Sequence, residues 1–526
     1  MGVPEKICYN NFMFIRKKKN SSGVISIQVI EKSKGKYKVY KTIGSSSDEK
    51  VIAELYQQGK KWLAKHSGEN DMFVLQAQKE EEEQVTDQLL SNIENILLNG
   101  PQIILERVYK TVGFGAIDDD ILKHLVIARL CQPLSKTGTV DYLKSYFDKD
   151  ILLHKIYRYM DKLNKMQKDT IQKISVEHTQ KVLGGRIGLV FYDVTTLYFE
   201  TDIADDFRQT GFSKDGKHSQ PQIVLGLLVS EDGYPLAYSV HEGGKYEGHT
   251  MLPVIEDFVG RFNLTDFVIV ADSGLMNSDN ITLLEEKEYK YILGARIKNE
   301  SRTVTGWILS QNKTDGIFFE YQKSENRRLV VGYSEKRARK DAYNREKGIR
   351  RLEKEFKKGI VTKDKINKRG YNKFLEICNG VKVKISYEKI KEDEQWDGLK
   401  GCVTNTALSA NLIFEQYRSL WQIERAFRIS KGTLELRPVF HFTKKRIDAH
   451  VCICFVAYKV YKELERILKA NSINLSVDSV LNIAKTITTM KIKLPVCGET
   501  MTKTMLLTQK HKSIASLFDD DFWRGF

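Results

Sequence analysis

Two carboxylates sit where a strand-forming sequence has no ordinary use for them. Asp193 interrupts the apolar run GLVFYDVTTLYF, and Asp272 closes FVIVAD just before Ser273-Gly274. A carboxylate inside an apolar strand is costly unless it is paired, solvated or bound to metal. One at the carboxyl end of a strand in an α/β sheet lies where ligands gather. Either residue alone reads equally as a turn former or helix cap. The two together on neighbouring strands read as like charges that need a compensating cation. A third carboxylate, Glu424, falls mid-helix between Trp421, Ile423 and Phe427. Tyr417, Leu420, Trp421, Glu424, Phe427, Arg428 and Lys431 recur at three- and four-residue spacing, so one continuous helix would place them on one face. Such a face could hold metal on the carboxylate and nucleic-acid phosphates on the cations. In isolation it reads as an ordinary Glu424–Arg428 pair. Trp421 likewise reads first as core and only second as a platform for a displaced base.

The elements that must position these residues follow from the hydrophobic period. Residues 12–43 alternate around the turns Ser21-Ser22-Gly23 and Lys34-Gly35, which predicts a small three-stranded antiparallel sheet, followed by a helix to about His66. The stretch SGEND at 67–71 and the run Glu80–Glu83 read as a boundary. Residues 85–181, including LLSNIENILL, read as helical. From 187 the period changes to three strands, a helix, the strand FVIVAD, a helix and the strand YILGAR. Three antiparallel strands, then helix–strand–helix–strand, is the order of an RNase H-like core. Strand-like pieces and a charged helix then interrupt it, before the helix IFEQYRSLWQIERAFRISKG.

The chain has 526 residues, with 84 Lys+Arg against 68 Asp+Glu, a net charge of +16. An acidic polymer is the first partner such a surplus calls for, composition bias the plainer explanation. Between Glu335 and Gly370 there are 15 Lys+Arg and 6 Asp+Glu, so 15 − 6 = +9 of the surplus sits in one stretch. Ile349, Leu352 and Phe356 give that stretch an apolar face, so it reads as anchored, and its net charge favours phosphate contact over a merely solvated helix. Lys336, Arg337, Arg339 and Lys340 open it. No apolar run approaches the ~20 residues of a membrane span, and MGVPEK lacks the apolar core of a signal peptide. Seven scattered cysteines without a C-x-x-C pair point to reduced thiols in a cytoplasm. The histidines form no zinc-binding spacing, and no P-loop occurs.

The segments FYDVTTLYFE, GFSKDGKHSQPQIVLGLLVSEDGYPLAYSVHEG, YEGHTM, VIVADSGL and YILGARIKN resemble DDE transposases of bacterial insertion sequences. The closer resemblance is to the insertion-sequence-four-like group, whose signature helix reads Tyr, two residues, Arg, three residues, Glu, six residues, Lys. Here Tyr417, Glu424 and Lys431 fit that spacing, while Leu420 stands at the Arg position, leaving Arg428 to supply that phosphate contact. The flanking W-x-I-E-x-x-F and the downstream LRPVFH also match, and the likeness covers roughly 185–450.

The resemblance implies a catalytic, metal-binding triad of Asp193, Asp272 and Glu424 holding two Mg²⁺ ions, with Mn²⁺ as a substitute. It implies DNA contacts from Tyr417, Arg428 and Lys431, and from the basic stretch. The fold it implies is α/β: 1–66 sheet plus helix, 85–185 helical and a candidate DNA-binding module, 186–297 and 401–445 the two parts of the RNase H-like core. A basic β-rich insertion then covers 298–400, and 446–526 is a helical candidate for dimerisation. The activity it implies is cutting at the terminal inverted repeats and joining the 3′-OH to target DNA, in a homodimeric synaptic complex, cytoplasmic and nucleoid-associated, with no membrane. A metal-dependent nuclease that does not join ends, and a catalytically silent DNA-binding derivative, are the alternatives.

Overall fold

The alternation over 12–46 folds as expected into the antiparallel sheet β1 (Phe12–Lys19), β2 (Ile25–Ser33) and β3 (Lys36–Ser46), with β2 central. The computed structural model describes residues 12–33, 35–66, 72–262, 264–275, 277–358, 370–378 and 382–518. Helix α1 (Glu49–His66) follows the sheet and packs on it. The expected boundary at 67–71 lies outside the described residues. The Glu80–Glu83 run is no boundary: it lies inside helix α2 (Met72–Ser91), where charged side chains face water at little cost. LLSNIENILL also departs from its helical reading. Helix α2 ends at Ser91 and strand β4 (Ile93–Leu97) takes over, because it finds a strand partner that a local pattern cannot show.

The helical reading then holds through α3 (Gly100–Val112), α4 (Asp120–Cys131), α5 (Lys136–Phe147), α6 (Leu153–Met166) and α7 (Lys168–Val182). Next come β5 (Leu189–Tyr198), β6 (Gln222–Ser230), β7 (Pro235–Glu242), α8 (Met251–Phe262), β8 (Val268–Ala271), α9 (Ser278–Glu286) and β9 (Lys290–Ala295), in the predicted order. After α10 (Arg302–Ser310) the chain forms β10 (Phe318–Ser324) and β11 (Arg327–Tyr333), then the basic helix α11 (Glu335–Lys357). The hairpin β12 (Leu375–Cys378) and β13 (Lys382–Ile385) and helix α12 (Tyr387–Glu394) lead back to β14 (Leu399–Thr404).

The expected 298–400 insertion contributes strands to two sheets, with β12 and β13 pairing apart from the rest. Its β10 and β11 join the main sheet through β14, giving one eight-stranded order β10-β11-β14-β9-β8-β5-β6-β7. Residues of α11, β12, β13 and α12 share a small core of their own. Pairings β5–β8 and β8–β9 are parallel, and the others are antiparallel.

The signature helix is not continuous. It divides into α13 (Ala410–Arg418) and α14 (Trp421–Arg428), joined by a tight step at Ser419-Leu420, and ends in a π-helical turn over Ile429–Thr433. Helix α15 (Lys444–Ala470) is buried along most of its length. The remainder is not all helical: α16 (Val477–Ala484) is followed by β15 (Thr488–Lys493) and β16 (Thr500–Met505), which form a sheet with β4, and then α17 (Gln509–Ala515). The chain divides into two compact units, residues 1–96 with 490–503, and 97–489 with 504–526.

Strand parity in the second unit decides what each strand residue faces. Leu189, Phe191 and Leu197 of β5 point into a core shared with α13, α14 and α15, while Val190, Tyr192 and Val194 point to α8 and α9. Asp193 has the parity of the first set. By the same rule Asp272 continues the side of Val270, Gly294 that of Ile292, and Lys400 that of Cys402. All four therefore belong to the face that α13 and α14 cover. No helix among the described residues is long and apolar enough to cross a membrane.

Candidate active site

Parallel pairing of β5 and β8 sets Tyr192 opposite Ala271, so Asp193 and Asp272 emerge one residue later on adjacent strands. Asp193 is partly buried, and its Oδ1 accepts from the Val194 amide at 2.7 Å. Asp272 is exposed, and the phenol of Tyr417 donates to its Oδ1 at 2.9 Å. That bond requires Gly294. A Cβ there would run into the Tyr417 hydroxyl and stand 2.9 Å from the Ser273 amide nitrogen. Tyr417 itself is buried, and burial followed by the neighbouring Asp272 charge pushes its phenol far above its ordinary value. It therefore acts as a fixed neutral donor.

Glu424 is exposed on α14, whose opposite side buries Ile423, Ala426 and Phe427. Helix α14 packs on β5 and β6 and is fixed to α15 by the Arg425–Glu465 ion pair. Glu424 and Arg428 form no ion pair among the described residues, so the plain i,i+4 reading of this helix does not hold. The charge that Glu424 does act on is Lys400. The ammonium of Lys400 lies 4.2 Å from the centroid of the Tyr417 ring. Burial, then Arg337, lowers its proton affinity, while Asp272 and Glu424 oppose that shift. One ammonium thus experiences both carboxylates.

Asp193 has its own cation: Lys214 Nζ lies 3.6 Å from Asp193 Oδ1 and donates to the Val194 carbonyl at 2.6 Å. Among the described residues, no three His, Cys, Asp or Glu side chains converge closely enough to grip an ion together. Like charges repel, and here Lys214 and Lys400 supply the compensation. Sequence reasoning missed both lysines and Gly294. Their signals were a lysine in GFSKDGK and a glycine inside the strand YILGAR, which acquire meaning only beside Asp193 and Tyr417.

The other expected site residues divide. Arg428 is exposed and without an ion pair among the described residues. Lys431, within the π-turn, is largely buried and sits 3.2 Å from Asp215, which Arg437 also pairs. It therefore holds the 213–217 loop that carries Lys214. Trp421 is 50% exposed, so the expectation that it belongs to the core is corrected: α14 turns its buried side away from that ring. Lys336, Arg337, Arg339 and Lys340 are exposed on the first turns of α11. Arg337 pairs with Asp341 at 3.6 Å and Arg339 with Glu335 at 3.2 Å. Helix α11 is anchored by Leu352, with Ile349 packed beside it, and by Arg345, which makes two bonds to Asp397 of 2.5 and 2.6 Å. Phe356, expected on that apolar face, is 42% exposed. The part of the basic stretch at 359–369 lies outside the described residues.

Asp193 midway along one strand, Asp272 just past the end of its parallel neighbour and Glu424 on a covering helix thus lie with Lys214 and Lys400 on one face of an α/β sheet. The family described as transposase DDE domain matches residues 184–459, more than half of the chain, and the chain belongs to that family. Among solved structures it is similar to a piggyBac transposase synaptic complex with hairpin DNA, at 8% identity and a TM-score of 0.37, covering 76% of this chain and 77% of that one. It is also similar to a Mos1 transposase paired-end complex with left transposon end, at 8% identity and a TM-score of 0.15, covering 33% of this chain and 58% of that one. Comparison with curated proteins finds no match.

Proposed function

We propose that this DDE transposase binds the terminal inverted repeats of an insertion sequence of the insertion-sequence-four-like group, nicks them by metal-dependent hydrolysis and joins the 3′-OH to target DNA. The catalytic and metal-holding residues are Asp193, Asp272 and Glu424. The observation that carries the reading is the parallel β5–β8 register that brings Asp193, midway along β5, beside Asp272, just past β8, with the Glu424-bearing α14 packed on β5. The strand order β7-β6-β5-β8-β9 supports an RNase H-like core beneath them.

The trio offers only carboxylate oxygens, the donor set that Mg²⁺ or Mn²⁺ prefers. Bound there, two such ions would lower the pKa of a nucleophilic water and stabilise the leaving 3′ oxygen. The chain's own residues prepare the site. Tyr417 fixes the orientation of Asp272. Lys214 and Lys400 neutralise the acids and move aside toward phosphates when the site is loaded. Arg428 and the first turns of α11, bearing Lys336, Arg337, Arg339 and Lys340, offer cations to the DNA backbone. Trp421 presents an exposed face to an unstacked base. A homodimer in the synaptic complex completes the reading.

The experiment is direct. Purified protein with Mg²⁺ and the DNA ends flanking its gene should cut and join. Asp193→Asn, Asp272→Asn and Glu424→Gln should each abolish cutting while leaving end binding largely intact. Full activity in any one of the three removes the triad. Cut ends without transfer to a target plasmid reduce the reading to a nuclease.

A further inference from the structure

Away from the acidic site, four basic side chains are buried together with no acid among them. Arg129, in the last turn of α4, and Lys136, the first residue of α5, are 7% and 6% exposed. His441, in the segment before α15, and His450, on α15, are 9% and 5% exposed, with ring centroids 5.3 Å apart. The charges acting on Lys136 include Arg129, and those acting on His441 include Lys136, Arg129 and Arg446. Lys136, Arg129 and His441 act on His450, and none of the four makes an ion pair with a carboxylate among the described residues. Arg446 is already paired with Asp161.

Their hydrogen-bonding capacity is mostly unused. The guanidinium of Arg129 makes one long bond, 3.4 Å, to the Leu134 carbonyl. Lys136 makes no hydrogen bond or ion pair among the described residues. His450 uses Nε2 on the Leu436 carbonyl at 3.3 Å and leaves a buried Nδ1 without a partner. A guanidinium cannot shed its proton, so burying it beside an ammonium without an anion is strongly unfavourable. Burial, then repulsion from Arg129, brings Lys136 down to about 7.

We propose that Arg129, Lys136, His441 and His450 form a receptor for one phosphodiester of bound DNA. The inference rests on the reading of this protein as one that acts on DNA. An oxyanion matches the planar fork of Arg129 and the free donors of Lys136, and it removes the repulsion between them. Phe440 and Phe442, 64% and 66% exposed on either side of His441, mark nucleic acid rather than free phosphate, since aromatic faces stack on bases. The segment bearing them begins at Arg437, which pairs with Asp215 beside the acidic site, so the receptor holds a strand that continues toward it.

The test is fluorescence anisotropy with a duplex of arbitrary sequence across a salt series, because a phosphate contact is independent of sequence. Lys136→Met should weaken binding about tenfold and reduce the salt slope by about one, with no loss of melting temperature. Arg129→Gln, read the same way, serves should the first variant melt early. Unchanged affinity and slope in both overturn the receptor. Inorganic phosphate that stabilises the native chain but not Lys136→Met, with DNA binding unaltered, also overturns it in favour of a free-phosphate site. A chain that binds duplex through Lys136 yet never cuts sustains this inference and sinks the catalytic reading. One that cuts but ignores Lys136→Met overturns only the inference.

Discussion

The hydroxyl of Tyr417 donates to Asp272 Oδ1 at 2.9 Å across the gap between a covering helix and a strand end, through space that only a glycine at 294 leaves open. Orientation of Asp272 thus depends on a residue 145 positions away in sequence.

Tyr417→Phe keeps the buried ring and deletes that donor. End cleavage should fall on the order of tenfold to a hundredfold, with a weaker apparent Mg²⁺ dependence, as for loss of a partner that orients a metal ligand. Titrating cleavage rate against Mg²⁺ checks this, and DNA binding should be unchanged.

Gly294→Ala drives a methyl into the Tyr417 hydroxyl, and overpacking of this kind costs roughly 1–3 kcal/mol. In the double variant with Tyr417→Phe the obstructing oxygen is gone, although the ring carbon remains 3.0 Å from the new Cβ. The two losses in melting stability should therefore sum to less than their separate values, which a double-mutant cycle measures.

Trp421→Ala should leave stability within about 0.5 kcal/mol, because an exposed ring contributes little to folding. If the ring stacks on a base, the same change costs roughly 1–3 kcal/mol of interaction with processed DNA ends. Melting and end-processing assays on one preparation separate the two.

Asp397→Ala leaves Arg345, with a side chain 9% exposed, only its longer 3.7 Å ion pair with Glu394. Breaking a buried ion pair outright costs about 3–5 kcal/mol, and the remaining pair should hold the loss below that. The loss should concentrate in α11, and hydrogen exchange along that helix should accelerate while the main sheet stays protected.

Acid should act through α15. Burial alone raises the carboxyls of Glu463 and Glu465. Hydrogen bonds from His178, Arg466 and Tyr234 outweigh it at Glu463, those from Arg425 and Lys462 at Glu465, and both fall to about 2. A depressed folded value means stability that is full above the ordinary carboxylate range and lost as pH falls through it toward 2. Melting temperature should hold steady at neutral pH and drop from about pH 4.5 downward, and Glu465→Gln should flatten part of that drop.

Local patterns carried much of the architecture. Alternation in 12–46 and the strand–helix succession from 187 to 295 fold as they read, because strands and amphipathic helices announce their buried faces in their period. Reading failed where a partner distant in sequence decides. The LLSNIENILL segment turns from helix to strand because β15 is there to receive it.

At the site the division is similar. The sequence by itself determined which carboxylates are anomalous: Asp193 and Asp272 sit in apolar strands where an unpaired charge is costly, and that cost is visible without coordinates. It also determined that a basic helix follows β11. Only the tertiary structure decided what compensates the acids. Strand parity turns Asp193, Asp272, Gly294 and Lys400 to one face, and α13 and α14 close over that face with Tyr417 and Glu424. Electrostatic compensation falls off with distance, and distance between segments so far apart in sequence is set by packing alone.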